Sequence, residues 1–507
     1  MGNYEFLITT DRSMMTNHHG LEFIGFMTTG PAYGLPESVW NWICMPKMEV
    51  DEEGRPKQAP YGLRKIEAAL IDAGFKAAVI DPDHLLPHLK SAKAVMIGHH
   101  DFFALGPPSN EWWFLTKKEP VNSKSFKRFM ESEALEKARE LGVKIVVGGP
   151  AAWQWLWKPE YVDRWKISTI IDGEADRYVV DLAQMIVDGE DLPFYVQIGP
   201  KESPPLEEIP LIKAPSVNGL VEVMRGCPRG CRFCSVTHRP LRFYTLEMVR
   251  KEIEVNVRGG IRGCILHSED ILLYGANGVI PNPEPVLRLH EMAVKHCDTM
   301  AWSHASLAGV VTAQSRYRLI TKLMNELILP KQEFLGVEVG IETGSPRLAE
   351  KVMPNKSSPY PAKMWPEIVE EAFSIMHDHM IIPAATLIVG LPGETEDDVI
   401  KTIELLERLR WYRSLIVPMY FVPMGAFRGE DWYRGKIEGV YKELGMLCLE
   451  HDLRWAREIM SKYYVKGAKR LPLRVLLHFL LSTYELAFMR FKRAEVRKIG
   501  SRGGRGS

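Results

Sequence analysis

The chain has little of what would tie it to an extreme environment. Its 64 lysines and arginines balance 64 aspartates and glutamates, so no global field draws it to nucleic acid or membrane. Any such affinity has to come from a local patch. Cysteine is scarce and odd in number, seven in 507 residues, which argues against a disulfide framework and for a reducing compartment. The N-terminus, MGNYEFLITTDRSMM, lacks the basic stretch and apolar core of a secretory signal. No uninterrupted run of about 18 apolar residues occurs, which excludes a simple spanning segment. These absences predict a cytoplasmic protein. At this length one core is too few, and two or three domains are expected.

What is present is concentrated in MRGCPRGCRFCSV, residues 224–236. Cys44, Cys264, Cys297 and Cys448 are scattered, but Cys227, Cys231 and Cys234 fall at C-x3-C-x2-C. A zinc ion would need a fourth ligand, which His238 offers. An iron–sulfur cluster with three thiolates and one open iron fits the short spacing better. Gly226 and Gly230 permit close backbone approach. Arg225, Arg229 and Arg232 either surround an anionic cluster with positive charge or form a solvated basic loop.

With Phe233 just before the last cysteine, the motif resembles that of radical S-adenosylmethionine enzymes. The resemblance implies that Cys227, Cys231 and Cys234 hold a [4Fe–4S] cluster whose fourth iron binds S-adenosylmethionine. An electron from an external donor then cleaves the sulfonium, and a 5'-deoxyadenosyl radical abstracts hydrogen from an unactivated carbon. Downstream, apolar runs alternate with amphipathic helix-length stretches, the pattern of βα units and a parallel sheet. Residues 215–430 are therefore expected to form a partial (β/α)6 barrel, open at one side, with active groups at the C-terminal strand ends. The resemblance places S-adenosylmethionine contacts at three of those ends. Ser268 and Glu269 lie in HSED, which departs from the family's Gly-Gly-Glu. Glu342 and Ser345 lie in VGIETGS, and Gly390 in IVGLPGET. Thr395 in the last phrase also reads as a helix N-cap. His267 and His304 either point into the barrel or are satisfied core histidines.

Strand–helix alternation over residues 61–200 predicts a doubly wound, Rossmann-like domain. Its phrases VVGGPAA and IIDGEADR resemble the cobalamin-binding type of domain. That resemblance implies cobalamin, with Gly148 and Gly149 beside the nucleotide tail and the loop GHHDFFALG (98–106) against the corrin. The Asp-x-His-x-x-Gly motif of base-off carriers is missing, and the alternative is a fold that has lost its cofactor. Residues 1–60 read as an N-terminal extension, rich in methionine and aromatics, that lines an apolar channel or covers a sheet edge. Residues 431–498 read as a helical C-terminal region and 499–507 as a flexible tail. The stretch 471–498 is interrupted by Arg474, His478 and Glu485 but has a broad apolar face. Its basic end (Arg490, Lys492, Arg493, Arg497, Lys498) suits either an interfacial helix or a buried one with a solvated tip.

Three functions compete. The first is carbon–carbon bond formation on an apolar chain, such as ring closure or cross-linking of an archaeal membrane lipid, with peripheral membrane association. The second is cobalamin-dependent radical methylation of a protein or small molecule. The third, a non-enzymatic zinc or cluster module, leaves the ordered βα units on both sides of the cysteines unexplained. None involves nucleic acid.

Overall fold

The computed structural model describes residues 2–424, 427–429, 431 and 438–503. Six strands open it: β1 (Phe6–Thr9), β2 (Ala77–Val79), β3 (Ala94–Gly98), β4 (Lys144–Gly148), β5 (Thr169–Asp172) and β6 (Tyr195–Gln197). All pair in parallel, in the order β2-β1-β3-β4-β5-β6. Burial on both faces explains why they read as continuous apolar runs. Leu7, Val95, Ile145 and Ile170 pack with Phe102, Phe126, Trp155 and Trp165 on one side. Phe6, Ile8, Met96, Val146 and Ile171 pack with Leu63, Leu70, Val179 and Leu182 of helices Tyr61–Asp72 and Tyr178–Asp188 on the other.

The doubly wound sheet is as expected, but its start is not. Residues 1–60 are not a separate extension, because β1 sits between β2 and β3, with Phe6 opposite both Ala77 and Ala94. Four consecutive buried residues fit only an inner strand.

The second domain holds β7 (Leu220–Glu222), a short antiparallel hairpin of β8 (Met224–Arg225) with β9 (Arg242–Phe243), and then β10 (Gly263–His267), β11 (Thr299–Trp302), β12 (Leu335–Glu342), β13 (Ile381–Val389) and β14 (Leu415–Tyr420). Two parallel sheets, β7-β10-β11 and β12-β13-β14, meet at one bridge from His304 to Glu338. Among the described residues β7 and β14 do not pair, so this is a six-stranded barrel open at one side.

Alternation along its strands divides the labour. Leu266, Trp302, Val337, Val339, Ala385 and Leu387 are buried in the layer beneath the helices. The intervening positions carry Gly263, Ile265, Ala301, Ser303, Gly336, Glu338 and Ala384, which line a cavity. Glycine and alanine there leave the lumen hollow, whereas closed eight-stranded barrels fill theirs with branched side chains.

Buried polar contacts join the domains. Lys65 Nζ donates to Glu252 Oε1 at 2.6 Å and to the Pro210 carbonyl at 2.5 Å, and the Tyr61 hydroxyl donates to Glu252 Oε2 at 2.7 Å. The C-terminal region is helical over Gly439–Ile459 and Leu471–Gly503. That last helix runs through residues 499–503, where a flexible tail was expected. Residues 504–507 and the side chains of Arg497 and Lys498 lie outside the described residues.

Candidate active site

The three clustered cysteines occupy the loop between β8 and β9. Gly226 turns this loop with φ +86°. A Cβ there would stand 2.7 Å from the Pro240 carbonyl oxygen and 2.8 Å from that of Arg239, so only glycine fits. Arg229 then pins the loop. Its guanidinium donates to Ser306 Oγ at 2.8 Å, to the carbonyls of Lys356 and Ser358 at 3.0 Å, and to Asp270 Oδ2 at 3.3 Å. Arg225 is buried against Glu222 (2.8 Å), Asp176 (2.8 Å) and Glu174 (3.3 Å). The expected basic collar is therefore corrected. Three carboxylates neutralise Arg225, Arg229 is a buried crosslink, and only Arg232 is exposed, over the Phe427 ring.

Burial pushes the Cys227 thiol up to about 12 and Cys231 to about 11, so binding iron means displacing protons that the site otherwise retains. Among the described residues no group of three His, Cys, Asp or Glu side chains is spaced to hold a metal ion, the three cysteines included. His238 lines the cavity.

The expected strand-end residues separate into two groups. Ser268 and Glu269, just past β10, are poised for a ligand: Ser268 Oγ and Glu269 Oε2 are buried and lack a partner. Burial, with Glu222 nearby, pushes Glu269 up to about 7. Glu342 ends β12 at φ +62°, its carboxylate bonded to Lys356 Nζ and, at 3.3 Å, by the Thr386 hydroxyl. Burial opposes the Lys356 charge, but Glu342 and the neighbouring Cys231 and Cys234 outweigh it and raise that group. This lysine–carboxylate pair thus stands beside the cysteine loop.

Ser345 is a correction. Its hydroxyl accepts from Leu348 N at 3.2 Å and donates to Asp398 Oδ1 at 2.5 Å, capping helix Pro346–Val352. Buried, and with its proton given to Asp398, it cannot donate to a ribose. Gly390 follows β13 at φ +82°, its N–H given to Glu394 Oε2 at 2.7 Å. Thr395 caps the next helix, with Asp398 completing a capping box.

A cavity of about 2570 Å³ runs from the C-terminal edge of the first sheet into the barrel lumen. On the first side Gly148 and Gly149 form its wall. Gly149 lies at φ +99°, where a Cβ would come within 2.9 Å of the His99 carbonyl. The loop 98–106 is only partly as expected. Phe102 and Phe103 point away into the core, and His99 is fixed 2.8 Å from Asp11 Oδ1. His100 lines the cavity with its surface exposed to it, and the surrounding protein, with His99 and His267 nearby, pushes it down to about 4.

In the lumen His267 is likewise pushed down to about 4 by burial. His304 goes the other way: burial opposes its charge, but Glu338, 3.1 Å from Nε2, raises it. Its Nδ1 donates to the Ser268 carbonyl at 3.1 Å. Both histidines face the lumen rather than the core. Glu338 and Lys356 escaped the sequence reading. The alternation in LGVEVGIE is a signal that could have found Glu338, but nothing in the sequence marks the register that brings it to His304.

Comparison with known proteins agrees with this fold. Residues 221–406 match the radical SAM superfamily, so the chain carries a radical SAM domain, which implies a [4Fe–4S] cluster and S-adenosylmethionine. The chain is 26% identical over 232 residues to a tRNA-2-methylthio-N(6)-dimethylallyladenosine synthase of Desulfosudis oleivorans, covering 44% of this chain and 46% of that one. It is 26% identical over 201 residues to the ribosomal protein uS12 methylthiotransferase RimO of Pseudothermotoga lettingae, 38% and 42% of the two chains. The chain thus spans less than half the length of these relatives. In structure it resembles the radical S-adenosylmethionine methyltransferase TsrM of Kitasatospora setae, solved with cobalamin and a [4Fe–4S] cluster. The TM-score is 0.54 at 14% identity, over 84% of this chain and 77% of that one. At that identity the likeness establishes the shared fold.

Proposed function

We propose that this radical SAM enzyme transfers a methyl group through cobalamin to a substrate held in the barrel lumen. One observation carries the reading: a single cavity joins the glycine-walled edge of the first sheet to the C-terminal ends of the barrel strands. The cluster with S-adenosylmethionine supplies one-electron cleavage chemistry, and cobalamin supplies a methyl carrier. Cys227, Cys231 and Cys234 are assigned as the cluster ligands. The unpartnered Ser268 Oγ and Glu269 Oε2 fit the polar end of S-adenosylmethionine, and Glu342 with Lys356 fits its charged groups at the cluster side. Gly148, Gly149 and His100 fit a corrin and its tail, because all three line the cavity wall and His100 presents an exposed imidazole there. His304, its charge sustained by Glu338, can hold or release a proton at Nε2 beside the substrate.

The experiment is a product count. Protein reconstituted with iron, sulfide and cobalamin, then reduced, should form S-adenosylhomocysteine from S-adenosylmethionine, and cobalamin-free protein should not. A second reading, carbon–carbon coupling on an apolar chain, is favoured by the apolar lining of the lumen. It needs only the radical, so 5'-deoxyadenosine without S-adenosylhomocysteine, irrespective of cobalamin, would replace the first reading with this one.

A further inference from the structure

A soluble surface rarely gathers large apolar side chains, yet they crowd the mouth of this cavity. Phe26, Tyr33, Trp112, Leu115, Leu156 and Trp157 line it and are still 40–55% exposed. Beside them runs the C-terminal helix, with Tyr484 packed in the same cluster as Ala32 and Leu35. This helix is apolar on two sides. Leu477, Leu480, Leu481, Tyr484 and Phe488 form part of the cavity wall. Leu471, Val475, Phe479, Leu486 and Met489 point away and are 46–60% exposed. At about 100° per residue these five fall within an arc of about 80°, and exposed Arg490 and Arg493 continue it by the same arithmetic.

Lysines accompany the aromatics at the mouth. Lys118 lies 5.0 Å from the Tyr33 ring centroid and Lys117 lies 4.3 Å from that of Phe114. The segment Ala468–Arg490 is long and apolar enough to cross a membrane, with a mean hydropathy of 1.3. Its inner positions Leu473, Leu477 and Leu480, however, are buried against the protein, so one side of the helix is held by its own fold. A helix with one arc free, aromatic neighbours and a cationic end is suited to lying in an interface.

We infer that this face rests on an anionic lipid surface, with the outer arc of the helix immersed and the cavity mouth opening towards the acyl chains. The substrate is then an apolar molecule dissolved in the membrane, reaching the lumen along the inner face of the same helix. The substrate half of this inference rests on the lumen being the reaction site, as proposed above. The lipid contact needs neither cluster nor cobalamin.

The full chain should float with vesicles of phosphatidylglycerol and phosphatidylcholine and less with phosphatidylcholine alone. Phe479→Asp with Leu486→Asp should abolish flotation. Arg490→Gln with Arg493→Gln should lower the partition coefficient on the order of 30-fold, from the contribution of two basic residues near such a surface. Iron content and S-adenosylmethionine cleavage should be unchanged in both, which separates lost lipid binding from lost folding. Absence of flotation by the unaltered chain on either vesicle would overturn the inference. So would a dimer in solution that the same aspartates dissociate, because a second copy would then cover the face. The product count above is independent of both outcomes.

Discussion

Replacing Lys65 by methionine isolates what the buried charges between the domains contribute. Lys65 and Glu252 are 2% and 0% exposed. The ammonium is held 2.6 Å from Glu252 Oε1 and about 5 Å from the rings of Tyr61 and Tyr244. Methionine fills the same volume but leaves the carboxylate charged and enclosed. Removing one partner of such a pair costs roughly 3–5 kcal/mol. Glu252 keeps the Tyr61 hydroxyl at 2.7 Å and Ile212 N at 3.1 Å, so the lower end, about 3 kcal/mol, is expected. For a unit of this size that lowers the melting midpoint by roughly 6–12 °C. Lys65→Met/Glu252→Gln removes the stranded charge, keeps an oxygen to accept from Ile212 N and turns an amide N–H towards the Tyr61 oxygen, and should recover most of the loss. Differential scanning fluorimetry, with proteolysis of the 199–215 connection as a second probe, reads both variants. If the double variant is no more stable than Lys65→Met, the buried charge is not the cause and the reasoning fails.

Three further outcomes are expected. Replacing Cys227, Cys231 or Cys234 by Ala should abolish iron binding, whereas Glu342→Gln should keep the iron and weaken S-adenosylmethionine roughly tenfold, the loss of one charge-assisted contact; equal affinity by calorimetry would remove Glu342 from the site. Burial pushes Glu111 and Asp452 up to about 8, so the folded chain retains protons there that the unfolded chain releases near its ordinary carboxyl range, and stability should fall as pH rises from about 5 to 8. Glu111→Gln with Asp452→Asn should raise the melting midpoint at pH 8 and leave it nearly unchanged at pH 5; an equal gain at both would refute this. His100→Ala should lower the cobalamin retained through gel filtration, and undiminished retention would place the corrin elsewhere.

Much of the fold was legible because parallel strands buried on both sides are short continuous apolar phrases. AVMIG, KIVVG and TIID all announced themselves, and each became a strand. The strand at FLIT did not, because 67 residues separate Thr9 from Ala77 and no neighbouring helix pattern frames it. The glycine of the cysteine loop was legible because its backbone leaves no alternative. Ser345 was misread because a serine that caps a helix and one that binds a ribose look alike until Asp398 and Leu348 are seen to occupy it. Phe102 and Phe103 were assigned to a ligand for a similar reason: the sequence shows their apolarity but not which side of the sheet receives it. Two of the three Arg225 carboxylates, Glu174 and Asp176, come from the first domain, and the His304–Glu338 pair depends on the register between two strands. Contacts of that kind have no local signature.

The hollow lumen has a consequence for selectivity. Its width is set at Gly263, Ala301, Gly336 and Ala384, positions whose side chains end at or before the first carbon. At Gly336 a Cβ would already come within 2.5 Å of the Tyr464 hydroxyl, but a longer residue at Ala301 or Ala384 would stand in the bore like a peg and leave the outward-facing layer that carries the barrel's stability untouched. Ala301→Leu or Ala384→Leu should therefore shorten the substrate that can be threaded without unfolding the wall. The barrel would act as a length gauge with several separate stops, each adjustable by a single codon.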